Sequence, residues 1–160
     1  MATLAAVSCL LVGAHVSVAA AAGGDSAWEA RHSGKCVTVS NADLENGIPL
    51  IQWDCSGKDH QKLIMEKTTS GYYRLRAAGS EECLTVADAG EANGAHAILW
   101  SCNGGANQDW NIRQRSNGFH TLQARHSSKC LTVADASQGN GAGLLQWDCS
   151  GGTNQQFLLT

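Results

Sequence analysis

Six cysteines, three tryptophans and three glutamines recur along this chain at a single interval. Cys36, Cys83 and Cys130 are 47 residues apart, and so are Cys55, Cys102 and Cys149. Trp53, Trp100 and Trp147 each stand two residues before the second cysteine of a pair, and Gln61, Gln108 and Gln155 keep the same period. An even set of cysteines, paired at a gap of 19 residues, suits disulfides in an oxidising compartment rather than a free nucleophile. The patterns of catalysis do not accompany them: the chain has no Gly-x-Ser-x-Gly, His-Glu-x-x-His, Cys-x-x-Cys or phosphate loop. His60, His96 and His120 fall singly, while His32 and His126 occupy equivalent points of two repeats, which indicates hairpin structure rather than a metal site. The expectation is a non-enzymatic binding protein with no metal and no cofactor.

Composition restricts the partners. Eleven Lys+Arg stand against 14 Asp+Glu, a formal net charge of -3. Without a basic excess there is no footprint for nucleic acid and none for an anionic membrane surface. Charged residues make up 16%, glycines number 18, and Pro49 is the single proline, which excludes collagen, coiled coil and a disordered tail. Residues 2–22 carry no Asp, Glu, Lys or Arg and end in small residues, Val18-Ala19-Ala20 and Ala20-Ala21-Ala22. They read as a secretory signal peptide, residues 1–22, which takes Cys9 with it and leaves a secreted, extracellular protein not inserted in a membrane.

The elements that must position these residues follow from the repeat. Repeats one and three share ARHSGKCVTV against ARHSSKCLTV, then QWDCSG in both; Asn46-Gly47, Asn93-Gly94 and Asn140-Gly141 are turn signals on the same period. Within repeat two, Tyr73–Ala77, Glu82–Val86, His96–Trp100 and Asp109–Arg113 read as four short strands separated by turns. Three repeats, about 26–72, 73–119 and 120–160, then give twelve strands in one domain over 26–160. Arrays that stay open usually carry atypical caps, whereas here the first and last strands are placed to meet. The fold class predicted is all-β, a closed threefold β-trefoil. Symmetry leaves two disulfide sets, within repeats (Cys36–Cys55, Cys83–Cys102, Cys130–Cys149) or between them. The first is preferred because strands two and three of a unit lie side by side.

Gln108-Asp109-Trp110 is a Gln-x-Trp motif, with Gln155-Gln156-Phe157 and Gln61-Lys62-Leu63 as weaker copies. Together with Lys-Cys-Leu-Thr-Val, Asn-Gly and Gln-Trp-Asp-Cys, they make nearly all of residues 26–160 resemble a ricin B-type lectin domain. The resemblance implies a β-trefoil with within-repeat disulfides, binding galactose-type or xylan-type sugars in shallow pockets, up to one per repeat. It implies glycan or polysaccharide partners. A trefoil with vestigial pockets that binds a protein partner, as inhibitor or toxin-type targeting subunit, is the alternative.

A sugar offers one apolar face and a polar rim, so a shallow site needs an aromatic ring beside Asp, Asn or Gln. Trp53, Trp100 and Trp147 stand where the family's stacking aromatic stands; packing into the core is the competing role. Asn107-Gln108 and Asn154-Gln155 match the family's Asn-Gln pair, in which the Asn reaches the sugar and the Gln is partly structural; repeat one has His60-Gln61. The family's sugar-holding aspartate, two residues after the first cysteine, is replaced here by Thr38, Thr85 and Thr132. Asp88 and Asp135, with Asn41 as counterpart, lie five residues after that cysteine. They either take over the hydroxyl contacts or cap the turn. Repeats two and three are the better candidate sites, through Thr85/Asp88 and Thr132/Asp135.

Overall fold

The structure, a computed structural model, describes residues 24–160. The expected signal peptide, residues 1–22 with Cys9, lies outside the described residues. Twelve strands run in chain order: β1 Asp25–Ala30, β2 Cys36–Val39, β3 Leu50–Trp53, β4 Lys62–Lys67, β5 Tyr73–Ala77, β6 Glu82–Val86, β7 Ala97–Ser101, β8 Trp110–Gln114, β9 His120–Ala124, β10 Cys130–Val133, β11 Leu144–Trp147 and β12 Phe157–Leu159. In repeat two, β5 and β6 have the predicted bounds, while β7 and β8 start one residue later than predicted. Alternation drives them: in β5, Leu75 and Ala77 are buried while Arg74 and Arg76 turn outward.

Six strands close a barrel, each antiparallel to the next: β1–β4, β4–β5, β5–β8, β8–β9, β9–β12 and β12–β1. The predicted meeting of first and last strands is seen in the pairs Trp28↔Leu159 and Ala30↔Phe157. Reciprocal backbone hydrogen bonds of 3.0 Å between Ala27 and Thr160 extend it. The hairpins β2–β3, β6–β7 and β10–β11 cap the barrel, one per repeat. This is the β-trefoil, with no edge left open around the ring.

The core is layered by the same symmetry. Trp28, Leu75 and Leu122 are equivalent and buried, as are Leu63, Trp110 and Phe157, and Val39, Val86 and Val133. The Trp110 indole N–H donates to the Leu84 carbonyl at 3.1 Å, so this large ring is buried without an orphaned donor. The disulfides are the within-repeat set, Cys36–Cys55, Cys83–Cys102 and Cys130–Cys149, with Cα separations of 5.1, 5.2 and 5.1 Å. In the chain-entropy account a loop of this length contributes about 3 kcal/mol. Among the described residues, no cluster of three or more His, Cys, Asp or Glu could hold a metal.

Candidate functional site

Each cap hairpin carries a shallow depression, and the three are built from equivalent positions. Their volumes are about 230, 300 and 330 Å³ in repeats one, two and three. The first is lined by Thr38, Asn41, Ile51, Trp53 and His60. The second gathers Thr85, Asp88, Ile98, Trp100 and Asn107, and the third Thr132, Asp135, Leu145, Trp147 and Asn154. Strand alternation sets the wall: in β3, Leu50 and Gln52 point into the protein, and Ile51 and Trp53 face the pocket. Trp53, Trp100 and Trp147 are 47, 43 and 48% exposed, so these rings are not core packing.

Each ring rests on a neighbouring repeat. A Cβ added to Gly141 would lie 3.8 Å from the Trp53 ring; one on Gly47 would lie 3.9 Å from Trp100, and one on Gly94 3.9 Å from Trp147. These glycines have φ of 87, 89 and 92°, which side-chain-bearing residues rarely adopt. The asparagine before each makes the seam polar as well. Asn46 Oδ1 accepts from the Ser101 N–H at 2.7 Å, Asn93 Oδ1 from Asp148 at 2.9 Å and Asn140 Oδ1 from Asp54 at 3.0 Å. The Asn-Gly turns are therefore also staples between repeats, which period and turn chemistry alone did not reveal.

The lip opposite the tryptophan is strained. Asn41, Asp88 and Asp135 have φ of 55, 54 and 52°, and Ala42, Ala89 and Ala136 follow at 53, 49 and 49°. Asn and Asp tolerate this left-handed region, whereas each alanine costs about 1–2 kcal/mol. Strain set three times at the same lip marks a place where conformation matters more than local stability. Asp88 and Asp135 are exposed and make no side-chain hydrogen bond among the described residues. Their carboxylates do not cap the turn; they stand free at the pocket edge.

The floor is a closed hydrogen-bond network. Thr85 Oγ1 donates to the Cys83 carbonyl at 2.8 Å and accepts from Gln108 Nε2 at 3.1 Å. Gln108 Nε2 also donates to Ser101 O at 2.9 Å, and Gln108 Oε1 accepts from the Asn103 N–H at 2.8 Å. Thr132 and Gln155 repeat the pattern, with Thr132 Oγ1 on Cys130 O at 2.8 Å and Gln155 Nε2 on Thr132 Oγ1 at 3.0 Å. In repeat one Gln61 reaches Thr38 Oγ1 at 3.0 Å. Gln108 and Gln155 are 0 and 2% exposed, so the structural role is the one the geometry gives them. The threonine hydroxyl hydrogens are held by backbone carbonyls, which leaves the threonines at most as acceptors toward a ligand.

Asn107 Nδ2 donates to Val86 O at 2.9 Å and Asn154 Nδ2 to Val133 O at 3.0 Å. Both depend on a glycine two residues earlier. A Cβ on Gly105 would lie 2.5 Å from Asn107 Oδ1, and one on Gly152 2.8 Å from Asn154 Oδ1. Repeat one has Lys58 at that position and His60 in place of the asparagine. The paired change was visible in the sequence as Gly-x-Asn twice and Lys-x-His once; its cause, the shared space, was not. Beside Trp53 and Trp147, the Lys35 ammonium and then the Asn140 amide hold the Asp54 carboxyl below the usual carboxylate range. Lys129 and then Asn93 do the same for Asp148.

A closed, disulfide-stapled trefoil with an aromatic-walled pocket on each repeat defines a class of repeat-built binding proteins. A family model described as the ricin-type beta-trefoil lectin domain matches residues 27–157, and the chain belongs to that family. Carbohydrate binding in general accompanies that membership. Among solved structures, the chain is similar to the designed threefold-symmetric protein ThreeFoil at 40% identity and a TM-score of 0.83, over 85% of this chain and 97% of that one. It is similar at 28% identity and a TM-score of 0.82 to an exo-beta-1,3-galactanase from Clostridium thermocellum, over 85% of this chain but 30% of that enzyme. The C-half of the earthworm R-type lectin, solved in complex with GalNAc, shares the fold at 15% identity and a TM-score of 0.65, over 84% of this chain and 96% of that one. No curated protein sequence matches the chain.

Proposed function

We propose that this is a secreted protein that binds galactose-type or xylan-type glycans and performs no turnover. The observation that carries the reading is the repeated pairing of a half-exposed tryptophan with an unpartnered carboxylate across a shallow pocket, Trp100 with Asp88 and Trp147 with Asp135. An indole face offers stacking for the apolar side of a pyranose, and a free carboxylate accepts two hydroxyl hydrogen bonds. Asp88 and Asp135 thereby supply what Thr85 and Thr132 lack. Single pockets this open hold a sugar weakly, at ~mM to ~10 μM, and several pockets on one glycan recover avidity. Glycan-array screening of oxidised residues 23–160 tests the reading. Retention on galactosyl or xylan-type ligands supports it, and a blank array from folded protein overturns it.

One observation favours a second reading, a protein-interaction trefoil acting as inhibitor or targeting subunit. The floor threonines are already bonded within the protein, so each pocket has fewer free polar groups than its shape suggests. Capture of a defined protein partner by a folded sample that ignores sugars would establish it.

A further inference from the structure

The three pockets differ in charge. In repeats two and three the lip presents a free carboxylate, Asp88 or Asp135, beside an asparagine amide, Asn107 or Asn154. In repeat one both groups change. Asn41 stands at the lip with the same left-handed backbone, φ 55° against 54 and 52°. His60 replaces the asparagine, and Lys58 stands at the position where the other repeats have Gly105 and Gly152, at which a Cβ would meet the asparagine amide. His60 lines the pocket, half-buried, and makes no side-chain hydrogen bond among the described residues.

The rest of that pocket is intact. Trp53 is 47% exposed on its glycine rest, and Gln61 holds Thr38 beneath it at 3.0 Å. No acid lines it. Asp54 is paired with Lys35 and accepts from Asn140 at 2.8 Å. Asp43 accepts the Glu45 N–H at 3.1 Å, and Asp59 faces Lys62 at 3.4 Å. The pocket therefore keeps its aromatic wall and exchanges a negative lip for amide and imidazole groups that can donate hydrogen bonds.

We infer that the first-repeat pocket takes a sugar bearing a carboxylate, a uronic acid, while the second and third take neutral sugars. The inference rests on the carbohydrate-binding reading above. A ligand carboxylate close to Asp88 or Asp135 meets a like charge, which at about 4 Å through solvent weakens binding by about fivefold. At Asn41 that repulsion is absent, and the Asn41 amide and a His60 ring N–H are placed to donate to the acid.

The five indole N–H signals of the isotope-labelled, oxidised protein report the pockets separately, once Trp53, Trp100 and Trp147 are assigned by single replacement with Phe. Methyl galacturonoside and methyl glucuronoside serve as acidic probes, methyl galactoside and methyl xyloside as neutral ones. The acidic probes are expected to shift Trp53 alone, and the neutral probes Trp100 and Trp147. Asn41→Asp, a residue that adopts this backbone in the other two repeats, should weaken the acidic probe at Trp53 by about fivefold. Asp88→Asn should admit that probe at Trp100. Shifts from neutral probes with none at Trp53 from acidic ones overturn the inference and leave the carbohydrate reading standing. Equal shifts of all three rings by the acidic probes also overturn it. If no probe shifts any of the three, both readings fall.

Discussion

The seams between repeats are built in two ways. Repeat one grips the lip loop of repeat three through polar groups. The Gln52 amide donates to Ser137 O and Gly139 O, both at 2.7 Å, and its oxygen accepts from Ser33 at 2.8 Å. His32 adds an Nε2–H to Ser137 O at 2.8 Å. Repeat three grips repeat two likewise: Gln146 reaches Gly90 O at 2.6 Å and Ala92 O at 2.9 Å, with His126 on Gly90 O at 3.0 Å. At the seam between repeats two and one, the corresponding residues are Leu99 and Gly79. There Leu99 is fully buried, and Leu44 and Ile48 pack against the core from the facing loop. The same loop can thus be held by a saturated buried amide or by apolar contact. The Gln52 and Gln146 amides are fully bonded, although Nδ1 of His32 and of His126 lacks a partner among the described residues; an amide placed in the apolar seam would itself be left unpaired.

Mixing the two should give the largest effect. Leu99→Gln buries an amide beside Leu44 with no imidazole at Gly79, at a cost of about 3 kcal/mol in urea unfolding of the oxidised protein. A neutral result would mean that the apolar seam is permissive. Gln146→Leu strips Gly90 O and Ala92 O of their amide donor and should cost about 2 kcal/mol, with Gln52→Leu alike. Unequal losses from these two would break the equivalence of the polar seams. Trp147→Ala is expected to retain the fold and to weaken glycan binding at the third pocket by about tenfold, ~1.4 kcal/mol, in titration against methyl galactoside or methyl xyloside. Unchanged affinity would remove the indole from the site.

Smaller still is the repair of repeat one. His60→Asn alone should gain no neutral-sugar affinity, because Lys58, unlike Gly105 and Gly152, carries a Cβ that would meet the amide. Lys58→Gly with His60→Asn and Asn41→Asp should gain several-fold, read at the Trp53 indole. The smallest effect is one of pH. Burial holds His120 below the ordinary imidazole value of 6.5, against the opposing effect of the Phe157 backbone, which accepts from the ring. A lowered folded-state value means that its contribution is complete above 6.5 and is lost as pH falls through that lower value. Melting temperature should therefore decline slightly on acidification below 6.5, and His120→Leu should flatten that decline; an unaltered slope would assign it to other groups.

Much of this molecule was legible from spacing. The 47-residue period carried the strand count through local alternation repeated three times; it narrowed the disulfides to two sets, between which the adjacency of strands two and three chose, and the lack of atypical end repeats pointed to closure of β1 on β12. The aromatic wall was legible as a position, but its exposure was not: Ile98 and Trp100 share a strand face whether that face meets core or solvent. Less legible were features that depend on residues far apart in sequence. Gln52 and Gln146 meet loop carbonyls across repeats, and nothing local distinguishes them from Leu99. The left-handed pair Asp88-Ala89 defied propensity, since alanine carries no sign of positive φ. Lys58 and His60 were visible as differences, yet their coupling is a matter of one atom's volume.

The resting of each tryptophan on the Asn-Gly turn of the preceding repeat around the ring has a thermodynamic consequence. Each pocket is lined by one repeat but its tryptophan is backed by another, so a repeat released from the ring loses the support behind its aromatic wall. Any molecule seated on Trp53 also presses on the junction between repeats one and three. Occupancy of a single pocket then raises the melting point of the whole barrel by mass action rather than firming one third of it. Saturating any one site should appear as a single, later, still cooperative unfolding transition.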